Sequence, residues 1–213
     1  AEADRLKQIA DQAQSKLSQG AVAYFGDRNA SDAVKVLTDK DTTLYLSSIQ
    51  NGQKGDATSI DNMIAALSYI REANQLRAKE GLAPLKVSDT LMAMSMANVD
   101  WSDDNIGHSG QFNVGENMAW GYKDPFDGWY TTEKANYEKD MTDGVLDGKD
   151  KDGNAVGETG HYLNVVKGYT VTGFAISQNG TLGYGTTHGQ TFQYAAPDQS
   201  GRVMDVDAYL ADL

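Results

Sequence analysis

Gly160-His161-Tyr162-Leu163-Asn164-Val165-Val166 is the stretch on which the reading of this chain turns. It carries one of only three histidines among 213 residues, and a second, His108, lies upstream beside the run Gly115-Glu116-Asn117. Both sit in glycine-flanked segments, where backbone turns tightly and presents an imidazole. Neutral imidazole binds zinc and related ions and titrates near neutral pH, so two such rings from distant segments point to a shared cleft able to hold a metal. Taken singly each has a plainer reading: His108 as a solvent-facing loop residue, His161 as a helix start, His188 as the end of a strand. Glu116, Glu133 and Glu158 are the carboxylates placed to orient the rings through their other nitrogen.

Charge and composition remove several alternatives. Thirty acidic against eighteen basic residues give a formal net charge of -12, which repels nucleic acid and anionic lipid surfaces. No apolar run approaches the roughly 18 residues of a membrane span, and Ala1-Glu2-Ala3-Asp4 lacks the basic-then-apolar layout of a secretory leader. The expectation is a mature or trimmed chain, or one never exported. The absence of cysteine excludes disulfides, thiolate metal sites and a cysteine nucleophile, leaving His, carboxylate, Ser, Thr, Tyr or a metal ion for any catalysis. There is no glycine-rich phosphate cradle and no nucleophile elbow.

Periodicity supplies the elements. Leu6, Ile9, Ala10, Ala13 and Leu17 mark an amphipathic helix over 2–19 stopped by Gly20, and Asn29 or Ser31 caps a second helix bearing Ala33, Val34 and Leu37. Residues 49–58 read as a linker. Ser59 caps a longer helix running toward Gly81, Pro84 breaks the chain, and Ser88 starts a methionine-rich helix whose sulfur side chains read as core packing rather than a ligand groove. A loop from Trp101 gives way to a short strand over 117–120, and residues 126–137 form a helix. Residues 169–176 and 181–187 read as a hairpin around Asn179-Gly180, and 205–213 as a last helix. The acidic run at 147–154 invites comparison with a calcium loop. Gly148 and Thr159 fall at ligand positions there, so it reads as a solvated turn.

Together these segments resemble the CAP superfamily of cysteine-rich secretory proteins, antigen 5 and pathogenesis-related class 1 proteins. The resemblance opens at Asn74-Gln75-Leu76-Arg77-Ala78-Lys79-Glu80-Gly81-Leu82-Ala83-Pro84-Leu85. It runs through His108, Gly115-Glu116-Asn117, Trp129-Tyr130 and Gly160-His161-Tyr162 to Gly189-Gln190-Thr191-Phe192, about residues 60 to 195. It implies an α+β fold, a three-layer α-β-α sandwich, over 59–213, preceded by a helical extension over 1–58. It also implies a cleft tetrad of His108, Glu116, Glu133 and His161; the two imidazoles are the expected ligands of a divalent cation, zinc first because imidazole suits it. The family's acid commonly follows its tryptophan by three positions, here Thr132; helical geometry brings Glu133 onto nearly the same face. The family motif commonly continues Thr-Gln with a later tryptophan, where this chain has Leu163, Asn164 and Lys167.

The cysteine-free sequence is similar to bacterial members, and the family implies a secreted or cell-surface protein that binds a small ligand, peptide, lipid or surface protein partner. A metal-dependent peptidase with Glu116 or Glu133 as general base is the competing expectation, and a lipid-binding or adhesion module the third.

Overall fold

The computed structural model describes residues 2–143, 152 and 157–213, so the acidic run at 147–154 lies, apart from Asp152, outside the described residues. Helix α1 (Glu2–Asp27) breaks at Gly20, whose φ of 60° and ψ of -153° are non-helical. A Cβ there would lie 2.5 Å from the Cα of Gly52, so glycine lets the loop at 49–58 cross the break. Before the break Leu6, Ile9 and Leu17 are exposed; after it Ala21, Tyr24 and Phe25 are buried. The chain beyond Gly20, where the sequence pattern stops the helix, is thus a second helical segment docked on the core. Helix α2 (Ser31–Thr38) adds Ala33, Val36 and Leu37 to the same core, with Ala30 rather than Asn29 or Ser31 at its cap.

Helix α3 (Ile60–Lys79) starts where Ser59 Oγ accepts the Asn62 N–H at 3.3 Å, and ends before Gly81 at a φ of +72°. A three-residue strand β1 (Lys86–Ser88), too short for a periodic signal, follows Pro84. Ser88 then caps α4 (Asp89–Asn105) by accepting the Leu91 N–H at 3.2 Å. Met92, Met96 and Met118 are buried core residues, as the sequence indicated. The helix runs on past Trp101, where the sequence reading placed a loop.

Strands β2 (Gly115–Trp120), β3 (Val171–Ser177), β4 (Thr187–Gln193) and β5 (Val203–Met204) complete a sheet of order β2-β4-β3-β1-β5. Every pairing is antiparallel except β1 with β3. The hairpin partner is misplaced by the sequence reading: residues 181–186 form a loop, and β4 begins at Thr187. Gly183 and Gly185 take positive φ, and Asp104 accepts both the N–H and hydroxyl of Thr181 at 2.7 Å, drawing the loop toward α4 instead of the sheet.

Helix α4 covers one face of the sheet. The other carries α3, a π-helical turn (Asp127–Thr132) that continues into α5 (Glu133–Asp143), and α6 (Gly160–Val166). Tyr69 of α3 stacks on Phe174 of β3 with centroids 5.0 Å apart, and Trp129 of the π-turn lies 6.0 Å from the same ring. These three layers are the α-β-α sandwich expected, and the C-terminal α7 (Val206–Asp212) buries Tyr209. Close approach of α4 depends on Gly173, where a Cβ would sit 2.1 Å from the Leu91 carbonyl. Backbone cannot swing aside as a side chain can, so Gly173→Ala should cost about 3 kcal/mol or more in urea unfolding.

His188 on the opposite face is a core histidine, edge-on to Tyr69 at 5.1 Å, with Nδ1 lacking a partner. Burial pushes its pKa from 6.5 down to about 4, with Asp124 opposing weakly. The unfolded chain therefore binds the proton first. Stability from this group is complete above about pH 6.5 and is lost as pH falls toward about 4, by about 3 kcal/mol in all. His188→Phe should flatten that part of the pH dependence of the urea midpoint.

Candidate functional site

Strand β2 lies at the edge of the sheet, and adjacent residues on a strand point to opposite faces. Glu116 therefore turns toward α4 and Asn117 toward α6. On the α4 side Glu116 Oε2 accepts a bond from Asn98, and Oε1 meets His108 Nδ1 at 2.6 Å. Asn98 Oδ1 also accepts from Ser109 Oγ at 2.7 Å and Gln111 Nε2 at 3.0 Å, so one buried amide holds the loop that carries His108. On the α6 side the fully buried Asn117 donates to the His161 carbonyl at 3.1 Å and accepts from Asn164 at 2.9 Å. The run Gly115-Glu116-Asn117 thus ties both histidine segments to one strand.

Glu133 organises the second histidine. Its Oε1 meets His161 Nδ1 at 2.5 Å, and its Oε2 accepts the backbone N–H groups of His161 at 2.8 Å and Tyr162 at 3.0 Å. A carboxylate from another element thereby caps the start of α6, where N–H groups have no partner within the helix. The His161 ring also stacks on Trp129 at 6.1 Å, and Trp129 Nε1 is fixed on the Met118 carbonyl at 3.1 Å. Thr132 faces away, its hydroxyl bonded to the Asp127 carbonyl at 2.9 Å. The π-helical turn accounts for this choice. It takes one residue more per hydrogen-bonded ring than an α-helix, so the position four after Trp129 reaches the site.

A carboxylate on Nδ1 selects, for each neutral imidazole, the tautomer that leaves Nε2 free to ligate. His108 and His161 line one open cavity of about 780 Å³, together with Glu116, Glu158, Leu163, Asn164 and Lys167. Glu133 lies behind His161 and is buried. Glu116 hydrogen-bonded to His108 raises that ring's pKa despite partial burial. Among the described residues Glu133, Glu158 and His161 form a group that could hold a metal ion, with ligand atoms within 4.8 Å of one another. Imidazole nitrogen with carboxylate oxygen suits zinc and its neighbours, so the donor set fits a divalent cation.

The model of the cysteine-rich secretory protein family, CAP, matches residues 70–194, well over half the chain. The chain belongs to the CAP family. No curated protein matches it. The CAP match begins within α3 and ends one residue past β4, so it spans both histidine segments and the strand between them. Sequence reasoning gave no part to Asn98 or Asn117. Asn98 had a signal, an amide between Met96 and Val99 on an otherwise packed helix; Asn117 had none beyond its motif.

Glu133→Gln removes the charge but keeps the shape. It should cost about 2 kcal/mol in folding stability, because an amide accepts fewer of the three bonds. Nitrogen NMR should then find His161 in mixed tautomers where the parent protein holds only Nδ1–H.

Proposed function

We propose that this CAP protein is secreted or displayed on a cell surface, and that its cleft binds a divalent cation through Nε2 of His108 and His161, together with a small ligand or protein partner. In this reading residues 59–213 are the CAP domain and 1–58 its helical extension. One observation carries the proposal: both imidazoles border a single cavity, and each has Nδ1 held by its own glutamate, the arrangement that fixes a metal-ligating histidine. A buried core histidine would have no reason to be presented this way, and His188 is not.

Zinc is the first choice, since two nitrogens supply half of a tetrahedral shell. Glu158, exposed on the cavity wall and grouped with His161 and Glu133 but not with His108, is the carboxylate placed to add a ligand at the His161 end, while the two oxygens of Glu133 already accept three bonds and so orient rather than ligate. A fourth position is left for water or a ligand oxygen. The bound cation would supply Lewis acidity at that position, and the chain's charge of -12 favours its capture.

Calorimetric titration of Zn²⁺ into the parent protein and the His108→Ala/His161→Ala double variant checks this. The parent should bind at least 100-fold more tightly, a loss of about 3 kcal/mol on removing two ligands. Indistinguishable isotherms would remove the cation from the site.

A further inference from the structure

Helix α6 forms one wall of the cavity: His161 and Val166 line its flanks, and along its middle run Gly160, Leu163, Asn164 and Lys167. Their spacing is that of a single helical face continued one residue past the end of α6. This wall changes character along its length. At the His161 end it carries the imidazole and Glu158; in the middle Leu163 stands 42% exposed, large and apolar, where solvent would otherwise meet it. At the far end stands the Lys167 ammonium, 5.4 Å from the Tyr169 ring centroid and 5.9 Å from that of Tyr194. Those two phenols, Tyr194 first, raise its proton affinity. Several other cations are paired with acids: Lys134 with Glu80 at 2.6 Å, Arg71 with Asp207 at 2.6 Å and Arg28 with Asp212 at 2.7 Å.

A lysine held by aromatic faces, with no ion-paired carboxylate among the described residues, is an anchor for an anion from outside. The overall charge of -12 repels an acidic ligand, so a local cation is what would admit one. Length fixes the ligand's register. Six residues from His161 to Lys167 rise roughly 9 Å along a helix, which an extended peptide crosses in about three residues.

We propose that Lys167 determines the specificity of the cleft, which takes an extended peptide whose carboxylate lies about three residues from the group that reaches the cation. This rests on the cation reading above. The peptide's middle side chains pass over Leu163, and its carboxylate, from a side chain or a C-terminus, meets the ammonium.

The test uses the full chain with Zn²⁺ and three N-dansyl peptides followed by fluorescence anisotropy: tetraalanine amide, its C-terminal acid, and the amide with glutamate as last residue. At least one anionic peptide should bind roughly five- to tenfold more tightly than the neutral amide. Preference for the acid alone assigns the carboxylate to a C-terminus, for the glutamate amide alone to a side chain, and for both to either. Lys167→Met should abolish the preference and Lys167→Glu reverse it, with Zn²⁺ titrations unchanged in both. Equal binding of all three peptides, binding of none with Zn²⁺ present, or a preference that survives Lys167→Met overturns the inference while leaving the cation site standing. A parent protein that takes up no Zn²⁺ removes the cation site and the peptide register with it.

Discussion

The Glu133 carboxylate, buried against the start of α6, is the constraint on which the rest of the site depends. A carboxylate out of water costs several kcal/mol unless its oxygens are fully used. Here one oxygen takes the His161 ring and the other takes two backbone N–H groups of the same helix. The bonds do two jobs with one charge. They satisfy α6, which at seven residues is too short to be stable without tertiary support, and they select the tautomer of its histidine. The fold and the chemistry of His161 therefore cannot be separated: what loosens the helix also frees the ring. The opposite end of α6 is held in the same spirit by Arg77, buried with no acid partner among the described residues and donating to the carbonyls of Val165, Lys167 and Tyr169.

What the sequence disclosed depends on whether a residue's task is local. Ser59, Ser88 and Gly81 act within a turn of their own helix, and each stands where the pattern placed it. The sandwich was legible because α3, α4 and the region of β3 carry apolar periodicity, and the family motifs joined them. Strand β4 escaped because Thr187-His188-Gly189-Gln190-Thr191-Phe192-Gln193 is polar, and its burial is made good only by partners far away in sequence. Thr187 bonds to Asp103, Thr191 to Ser95 at 2.8 Å, and Gln190 to Thr172 at 3.1 Å. The choice of Glu133 over Thr132 was open for a related reason. Three- and four-residue spacings both serve an α-helix, and only the π-helical turn decides between them. Glu158 was legible as a carboxylate for one of the rings, but its place beside His161 needed the fold itself, since it depends on α6 beginning where Glu133 makes it begin.

Helix α4 pays for this polar sheet at its C-terminal end, where acids are disfavoured by the helix dipole. Asp100, Asp103 and Asp104 nevertheless stand there, each holding a different segment: Asp100 the Ala57 N–H at 3.0 Å, Asp103 the Ser177 hydroxyl at 2.7 Å, Asp104 Thr181. Burial, reinforced by Asp56, pushes the Asp100 carboxyl well above its usual pKa, and its Oδ2 lacks a partner. A raised carboxyl pKa means that its contribution is complete in acid and is lost as pH rises through the folded value. His188 works in the opposite direction, so the two buried groups partly offset each other across the acid range. The loop at 49–58 is thus joined to the core by a carboxyl that prefers its proton, and not by an ion pair.

A cavity walled by two carboxylate-held imidazoles and a lysine set against two phenols has a direction, and that direction follows from the geometry of a single short helix. At its start the backbone N–H groups are consumed by Glu133, so the helix end cannot itself hold an anion, and what remains facing outward is imidazole and Glu158. At its finish the carbonyls of Val165 and Lys167 accept from Arg77, which fixes the backbone beside the ammonium. Internal bonds at both termini leave only side chains to meet a ligand, a donor nitrogen at one end and a cation at the other. A ligand laid along α6 therefore meets opposite chemistry at its two ends, and reversing it would set its anionic group against Glu158.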